Sequence, residues 1–309
     1  MPDWSMHCIF LTWGQLMQLY EALNIFFEAM KGIRSPATIL FYRNTLTCLG
    51  EYFGNCDLRT INIDQLRAWR STLVDRSNLW GGGSSHPEQP GHLSTYTIHK
   101  FVRAARRFFR WLCLENLLEI DPAKRLELPE LPQRIARGIS SKKKSRLLDA
   151  ASSPRDVAII MFLSDTACRR GGLAGLRLSD LHLKRREILA REKGRGGQHK
   201  ERQLYFKRKT ARAIRAWLKV RPARLGDSLF GLSPDGIYRV LQRLASKAKV
   251  VDGWNPHSFR HATIRKWLAA GMPLPQASQL AGHSSIVVTG DIYGRFNERD
   301  LRKAYRKYS

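Results

Sequence analysis

The sequence is short of acid. Its 309 residues hold 26 aspartates and glutamates against 53 lysines and arginines, for a formal net charge of +27 and a pI near 10.5. Solubility needs no such field, and it points to a polyanionic partner, nucleic acid first. Cysteine is scarce too. Five residues (Cys8, Cys48, Cys56, Cys113 and Cys168) make an odd count without metal-ligand spacing, which speaks against a disulfide framework and for a reducing cytosol. Apolar runs such as Ala158–Leu163 fall far short of the ~20 residues a membrane span needs, so no membrane partner is expected. The chain starts Met-Pro-Asp without a basic stretch, and no export signal is read there. A cytoplasmic, nucleoid-associated protein is the expectation. There is no P-loop and no carboxylate cluster suited to Mg²⁺, so neither ATP nor a metal nor any other cofactor is expected.

What is present is unevenly spread. Residues 1–137 hold 16 basic and 13 acidic residues, a net of +3, while residues 138–309 hold 37 and 13, a net of +24. The step in charge coincides with "LPELPQR" (Leu128–Arg134), whose prolines follow Pro122 and stiffen an extended stretch. The expected organisation is a helical domain over 12–123, a proline-containing linker over 124–137 and a second domain over 138–309. The length suits two domains.

The first domain reads as four helices. Gln15–Lys31 places Leu16, Leu19, Leu23, Phe26, Phe27 and Met30 at helical spacing. Ser35 and Pro36 suit an N-cap and first turn of a helix running to about Leu49 and closed by Gly50. Asp64 caps a third helix over Ile61–Leu73. After the Gly, Pro and Ser-rich loop Ser77–Ser94 comes a fourth, Thr95–Leu117. Its apolar face carries Ile98, Val102, Ala105, Phe109 and Leu112. Lys100, Arg103, Arg106, Arg107 and Arg110 make a basic face that suits DNA phosphates. In the second domain, "SSKKKSRLLDAA" opens a helix that offers Lys142, Lys143 and Lys144 to DNA. Arg155–Ala167 reads as a buried helix and Glu187–Phe206 as a β-hairpin with a basic, Gly-rich turn. Helices follow to the C-terminus. The fold class is therefore mainly α with a small β-sheet.

The chemistry-bearing residues gather late. On a helix, His257, Arg260 and His261 lie on one side, because residues three and four apart are neighbours. Arginine offers a planar fork to phosphate oxygens, and histidine exchanges protons near neutral pH. Gly282-His283 reads as a break between helices, with Tyr293 ten residues on. Upstream, "TACRRGGLAGLRLSDL" (Thr166–Leu181) puts two arginines at the end of a buried helix.

Together these blocks resemble the tyrosine recombinases, the family of phage integrases and Xer recombinases. Thr166, Ala167, Arg169, Gly172, Leu173, Leu176 and Asp180 match the first block. His257, Arg260 and His261 match the second, and Ala281, Gly282, His283 and then Tyr293 the third. The resemblance implies an N-terminal core-binding domain and a C-terminal catalytic domain that clamp duplex DNA at a specific recombination site. It implies site-specific cleavage and rejoining through a 3′-phosphotyrosine, in integration, excision or resolution. By the same resemblance, Arg169 and Arg260 hold the scissile phosphate, His257 is the general base, and His283 bonds or positions the phosphate. Tyr293 is the nucleophile. A lysine of the hairpin protonates the leaving oxygen; Lys193 is favoured and Lys200 is its rival. Arg195 and Lys200 of the same hairpin are expected to touch DNA.

Two departures stand out. Gly172 takes the place of an acid that braces the site in the family, so Arg169 must be held by another group or act more slowly. Ala167 replaces a common glycine. The last residues, Asn297–Ser309, read as an amphipathic helix with Leu301, Ala304, Tyr305 and Tyr308 on one face. The resemblance implies that such a tail docks on a neighbour within a homotetramer on DNA. The competing readings are a DNA-binding protein of this fold without catalysis, which Gly172 alone favours, and an enzyme like the type IB topoisomerases.

Overall fold

The computed structural model describes residues 17–77, 90–132, 138–193, 199–283 and 285–293, together with 302, 305 and 306. The chain divides into two compact units, Met1–Gln133 and Arg134–Ser309. It is mainly helical with one three-stranded sheet. No helix among the described residues is long and apolar enough to cross a membrane.

The first unit contains α1 (Leu19–Ala29), α2 (Pro36–Phe53), α3 (Ile63–Asp75) and α4 (Thr95–Leu114). Their apolar stripes meet in one core, where Phe26 packs edge-on against Phe108 at 5.4 Å and Tyr42 at 5.6 Å between ring centroids. Three boundaries differ from the sequence reading. Helix α2 runs through Gly50 to Phe53, with Gly54 as its cap at φ 64°. Gly50 is needed for packing: a Cβ there would lie 2.8 Å from the ring of Tyr20, whose hydroxyl donates to the Gly50 carbonyl. Helix α3 is capped by Asn62, with Gln65 closing a capping box, and Asp64 sits in the first turn. Helix α4 stops at Leu114 because Asn116 turns left-handed at φ 57°. The amides of Asn116 and Leu117 then bond back to the carbonyls of Cys113 and Leu112, the reciprocal pattern that ends many helices. The first residues of the stretch read as linker, 124–137, pack on the first unit. Ala123 and Leu126 are fully buried in the first unit's core, and the Tyr96 hydroxyl donates to the Pro132 carbonyl at 2.6 Å.

The second unit is built around α6 (Pro154–Thr166), whose Ala158, Ile159, Ile160, Phe162 and Leu163 are fully buried. Around it stand α5 (Ser141–Ala150), α7 (Arg170–Ala174), α8 (Arg208–Val220), α9 (Pro234–Lys247), α10 (Pro256–Ala269), α11 (Leu274–Ala281) and α12 (Ile286–Tyr293). Strands β1 (Leu181–His182), β2 (Glu187–Lys193) and β3 (His199–Tyr205) form an antiparallel sheet in that order, with Ile188 opposite Leu204 and Glu192 opposite Lys200. The expected hairpin is β2–β3; β1 adds an edge the sequence reading did not foresee. Gly138 sits so close to α10 that a Cβ would fall 2.6 Å from the Ala262 amide nitrogen, and the neighbouring Ile139 amide donates to the Ser258 carbonyl. This contact fixes the start of the unit against the helix that carries two of the candidate site residues.

Strand alternation directs the hairpin's side chains. Ile188, Ala190 and Glu192 share one face with Leu204, Arg202 and Lys200. The near end of this face lies in the apolar core and its far end carries buried charge. On the other face Arg191 pairs with Asp180 and Glu201, so Asp180 of the first block ties β2 to the turn ahead of β1.

Candidate active site

Four of the expected residues converge in the second unit. Ala167 ends α6 in a left-handed conformation, φ 51° and ψ 26°, and the chain turns so that Arg169 caps α7. One terminal nitrogen of Arg169 donates to Glu192 Oε2 at 2.5 Å and the other to the Gly282 carbonyl at 2.7 Å. Its side chain keeps 38% of its surface open, enough to meet a ligand. Arg260, in the second turn of α10, is only 4% exposed and donates to the Ala167 carbonyl at 2.7 Å. One short turn thus carries the backbone of Arg169 and anchors the guanidinium of Arg260.

The histidines surround them. Asn255 caps α10 by accepting from the Ser258 amide, with Pro256 in the first turn. That start places His257 at the helix's open end and His261 one turn on, with ring centroids 6.3 Å apart. The Gly282–His283 pair ends α11, as read. Gly282 is left-handed at φ 71°, and a Cβ there would sit 2.8 Å from Arg202 Nε and 3.3 Å from an Arg169 terminal nitrogen, so only glycine fits. Beyond it, His283 Nδ1 meets the buried Thr289 hydroxyl at 2.6 Å. Burial first, then the charges of Arg260, Arg169 and Arg170, lowers the pKa of His257. Burial and then His257, Arg260 and Arg265 bring His261 down to about 4. Burial and then Arg260, Arg169 and Arg202 bring His283 to about 4. These imidazoles are neutral at pH 7, able to accept one hydrogen bond and donate another.

Sequence reading missed two buried members. Glu192 is 5% exposed and takes Arg169 on one oxygen and Arg202 on the other, both at 2.5 Å. Arg202, 8% exposed, also donates to the Leu280 carbonyl. The available signal was a charge at a strand position whose alternation partners, Ile188 and Leu204, face the core. Burial followed by Glu192's charge pushes the neighbouring Cys168 thiol up to about 12, which leaves it without nucleophilic thiolate.

Tyr293 closes α12 and Lys193 closes β2, but their side chains, like the whole of Arg195, lie outside the described residues. Lys200 is exposed on the Arg202 face of β3. In the first unit, Lys100, Arg103, Arg107 and Arg110 are exposed along α4 and Arg106 is half-buried. On α5 Lys142 is exposed, Lys144 is half-buried, and Lys143 is paired with Asp252. Of the tail face, Tyr305 is exposed in helical conformation; Leu301, Ala304 and Tyr308 lie outside the described residues.

The phage integrase family profile matches residues 138–299. Over 306 residues the chain is 28% identical to tyrosine recombinase XerC of Corynebacterium efficiens, covering 94% of this chain and 91% of that protein. It is 28% identical over 255 residues to tyrosine recombinase XerA of Saccharolobus solfataricus, covering 82% and 81% respectively. Among solved structures, the Tn1549 transposon integrase in complex with circular intermediate DNA superposes with a TM-score of 0.72 at 17% identity, over 95% of this chain and 100% of that one. A lambda integrase dimer bound to a COC′ core site does so with a TM-score of 0.70 at 13% identity, over 91% and 98%. At those identities the two structures share the architecture.

Proposed function

This chain belongs to the phage integrase family, and on that premise we propose how its residues divide the labour of a site-specific DNA recombinase. It is a tyrosine recombinase, an enzyme that breaks and rejoins DNA. The observation that carries the assignment of roles is that Arg169 bonds the Gly282 carbonyl beside His283, while Arg260, three residues after His257 on α10, bonds the Ala167 carbonyl two residues before Arg169.

A phosphodiester resists attack because its charge repels nucleophiles and its leaving alkoxide is poor. Arg169 and Arg260 offset that charge, and do more so as it builds on the equatorial oxygens of the pentacoordinate phosphorus. The Tyr293 phenolic oxygen forms the new bond to phosphorus and the 5′-oxygen leaves, so a 3′-phosphotyrosine conserves the phosphoester. His257, neutral at pH 7, takes the phenolic proton. Lys193 gives a proton to the leaving 5′-oxygen; Lys200, on the strand face of Arg202, is the rival for that role. With the Thr289 hydroxyl donating to Nδ1, His283 presents Nε2–H to a phosphate oxygen. A 5′-hydroxyl from the partner strand then attacks the phosphotyrosine, and each proton transfer reverses.

The substrate is double-stranded DNA carrying a specific site. Lys100, Arg103, Arg106, Arg107 and Arg110 hold its backbone from the first unit, and Lys142, Lys144, Arg195 and Lys200 from the second. Lys143, already paired with Asp252, contributes less. The enzyme works in the cytoplasm on nucleoid DNA as a homotetramer. Its tail, with Leu301, Ala304, Tyr305 and Tyr308, docks on a neighbouring copy, for which the apolar cleft lined by Phe206, Trp267, Met272 and Leu280 is the natural acceptor.

The test starts by footprinting the protein on the DNA it selects from a random pool. A nicked duplex of that footprint traps the intermediate, because the short cleaved strand diffuses away. Wild type should give a covalent adduct on a denaturing gel and Tyr293→Phe none, with equal duplex binding. A wild-type protein that binds the footprint and never forms the adduct would leave a DNA-binding protein without catalysis. Relaxation of plasmid lacking any footprint would favour topoisomerase chemistry.

A further inference from the structure

Family resemblance leads one to expect an acid at position 172, three residues after Arg169. Glycine stands there, and it is buried. A Cβ at 172 would lie 2.8 Å from Glu192 Oε1 and 2.9 Å from its Cγ. The carboxylate of Glu192 therefore fills the space into which a side chain at 172 would grow. It arrives from β2 instead of α7, yet it bonds the same arginine.

We propose that Glu192 is the positioning residue of Arg169, standing in from the sheet for the acid that α7 lacks. The proposal rests on Arg169 being a phosphate clamp. Three observations carry it. Glu192 Oε2 and the Gly282 carbonyl take both terminal nitrogens of Arg169 and so set the plane of its fork. Glu192 Oε1 takes Arg202, whose other terminal nitrogen holds the Leu280 carbonyl. One carboxylate thus joins two guanidiniums that both reach the end of α11, next to His283. The crowding at 172 is the third: a side chain grown there would run into Glu192, so acids at 172 and 192 would compete for one space.

Charge balance explains why the brace must be ionised. Two guanidiniums around one carboxylate keep one net positive charge, which remains for the phosphate. Burial would by itself push the Glu192 carboxyl up, but the charges and hydrogen bonds of Arg202 and Arg169 outweigh it and hold it below the usual carboxylate range. Glutamine is no substitute. Its amide has one oxygen to accept and an NH₂ that donates, so one of two arginines, which only donate, would face another donor.

The deciding experiment measures single-turnover adduct formation on the nicked footprint duplex, alongside duplex Kd and thermal melting of the full chain. Glu192→Gln should form adduct on the order of 10²-fold more slowly, the range seen when one transition-state donor is lost, with Kd unchanged. Gly172→Glu alone should also be slow, since two acids would crowd one space. Joined with Glu192→Val, it should recover at least ~tenfold over Glu192→Val, a coupling expected only of side chains that share a site. A folded double variant no faster than Glu192→Val overturns the proposal, as does Glu192→Gln at the wild-type rate. If Glu192→Val unfolds the chain, Glu192→Asp decides: it keeps both acceptors on a shorter arm, and a rate equal to wild type overturns the idea while a slower rate with unchanged Kd supports it. Failure of the recombinase reading shows elsewhere, as absence of adduct with the wild-type protein.

Discussion

Phe108 in the first unit and Arg260 in the second are both nearly sealed from solvent, at 0% and 4% exposure, yet opposite physics holds them there. Phe108 sits among Phe26, Phe109 and other apolar side chains, and Thr45 is the only buried polar residue of that unit among the described ones. Arg260 shares its interior with Asp156, Glu192, Arg202, Thr166, Ser258, Thr263 and Ser278. A dry core stabilises by removing apolar area from water. A core wired with charge gains less stability, because each ion must recover its lost hydration from its partners. The lesson is that the second unit's interior is shaped for a task and the first unit's for holding its helices together, including the basic face of α4.

The comparison can be broken most forcefully in the first unit. Phe108→Ala should remove about 3–5 kcal/mol of that unit's stability, the usual range for emptying a buried aromatic site. Urea denaturation of the full chain, followed by tryptophan fluorescence, reads this directly. The adduct rate of the fraction that remains folded and DNA-bound should stay at the wild-type level. A Phe108→Ala protein that stays fully stable yet cleaves slowly would mean that the dry core takes part in the chemistry.

Acid should act on the wired core. His261 and His283 have folded pKa values near 4, below the unfolded value of about 6.5. Between those values the unfolded chain binds more protons than the folded one, so stability falls as pH drops. The second unit should therefore lose stability progressively from about pH 6.5 to pH 4 and keep it in full above pH 6.5. Glutamine at both 261 and 283 should flatten that slope in a series of thermal melts. A slope unchanged by the double substitution would move the acid response to His257 and the carboxylates, and His261 and His283 would lose their place in the comparison.

How much of this was legible in the sequence follows the same division. Local signals carried the first unit: periodicity found α1 and α4, and Ser35-Pro36 found the start of α2. It failed where a distant contact decided, as at Gly50, where the ring of Tyr20 passes against the helix, and at Leu126, which returns to a core far back in the chain. In the second unit, Arg169, Arg260, His257 and His283 were legible because they sit in recognisable local patterns. Glu192 and Arg202 were not. Each looks like one more charge in a hairpin rich in charge, and only the register of β2 with β3, together with the close approach of Glu192 to Gly172, shows that they turn inward.

The smallest expected effect probes the turn that joins the two guanidiniums. Ala167 holds a left-handed backbone that glycine would adopt freely, and a non-glycine residue there bears about 1 kcal/mol or more of strain. Ala167→Gly relieves it. The same change removes a fully buried methyl packed against Ile264 and Ala281, worth about 0.8 kcal/mol, and frees the unfolded chain by about 0.4–1 kcal/mol. The terms oppose one another, so the variant should stay within about 1 kcal/mol of wild type by denaturant titration. Because Arg260 is bonded to the carbonyl of residue 167, which glycine retains, the adduct rate should change little. A loss of stability beyond about 2 kcal/mol would show that the methyl outweighs the strain, and that apolar packing governs even this turn of the charged interior. A large fall in rate at unchanged stability would instead show that the stiffness of Ala167 itself aims Arg260, and would extend the wiring of the second unit from its side chains to its backbone.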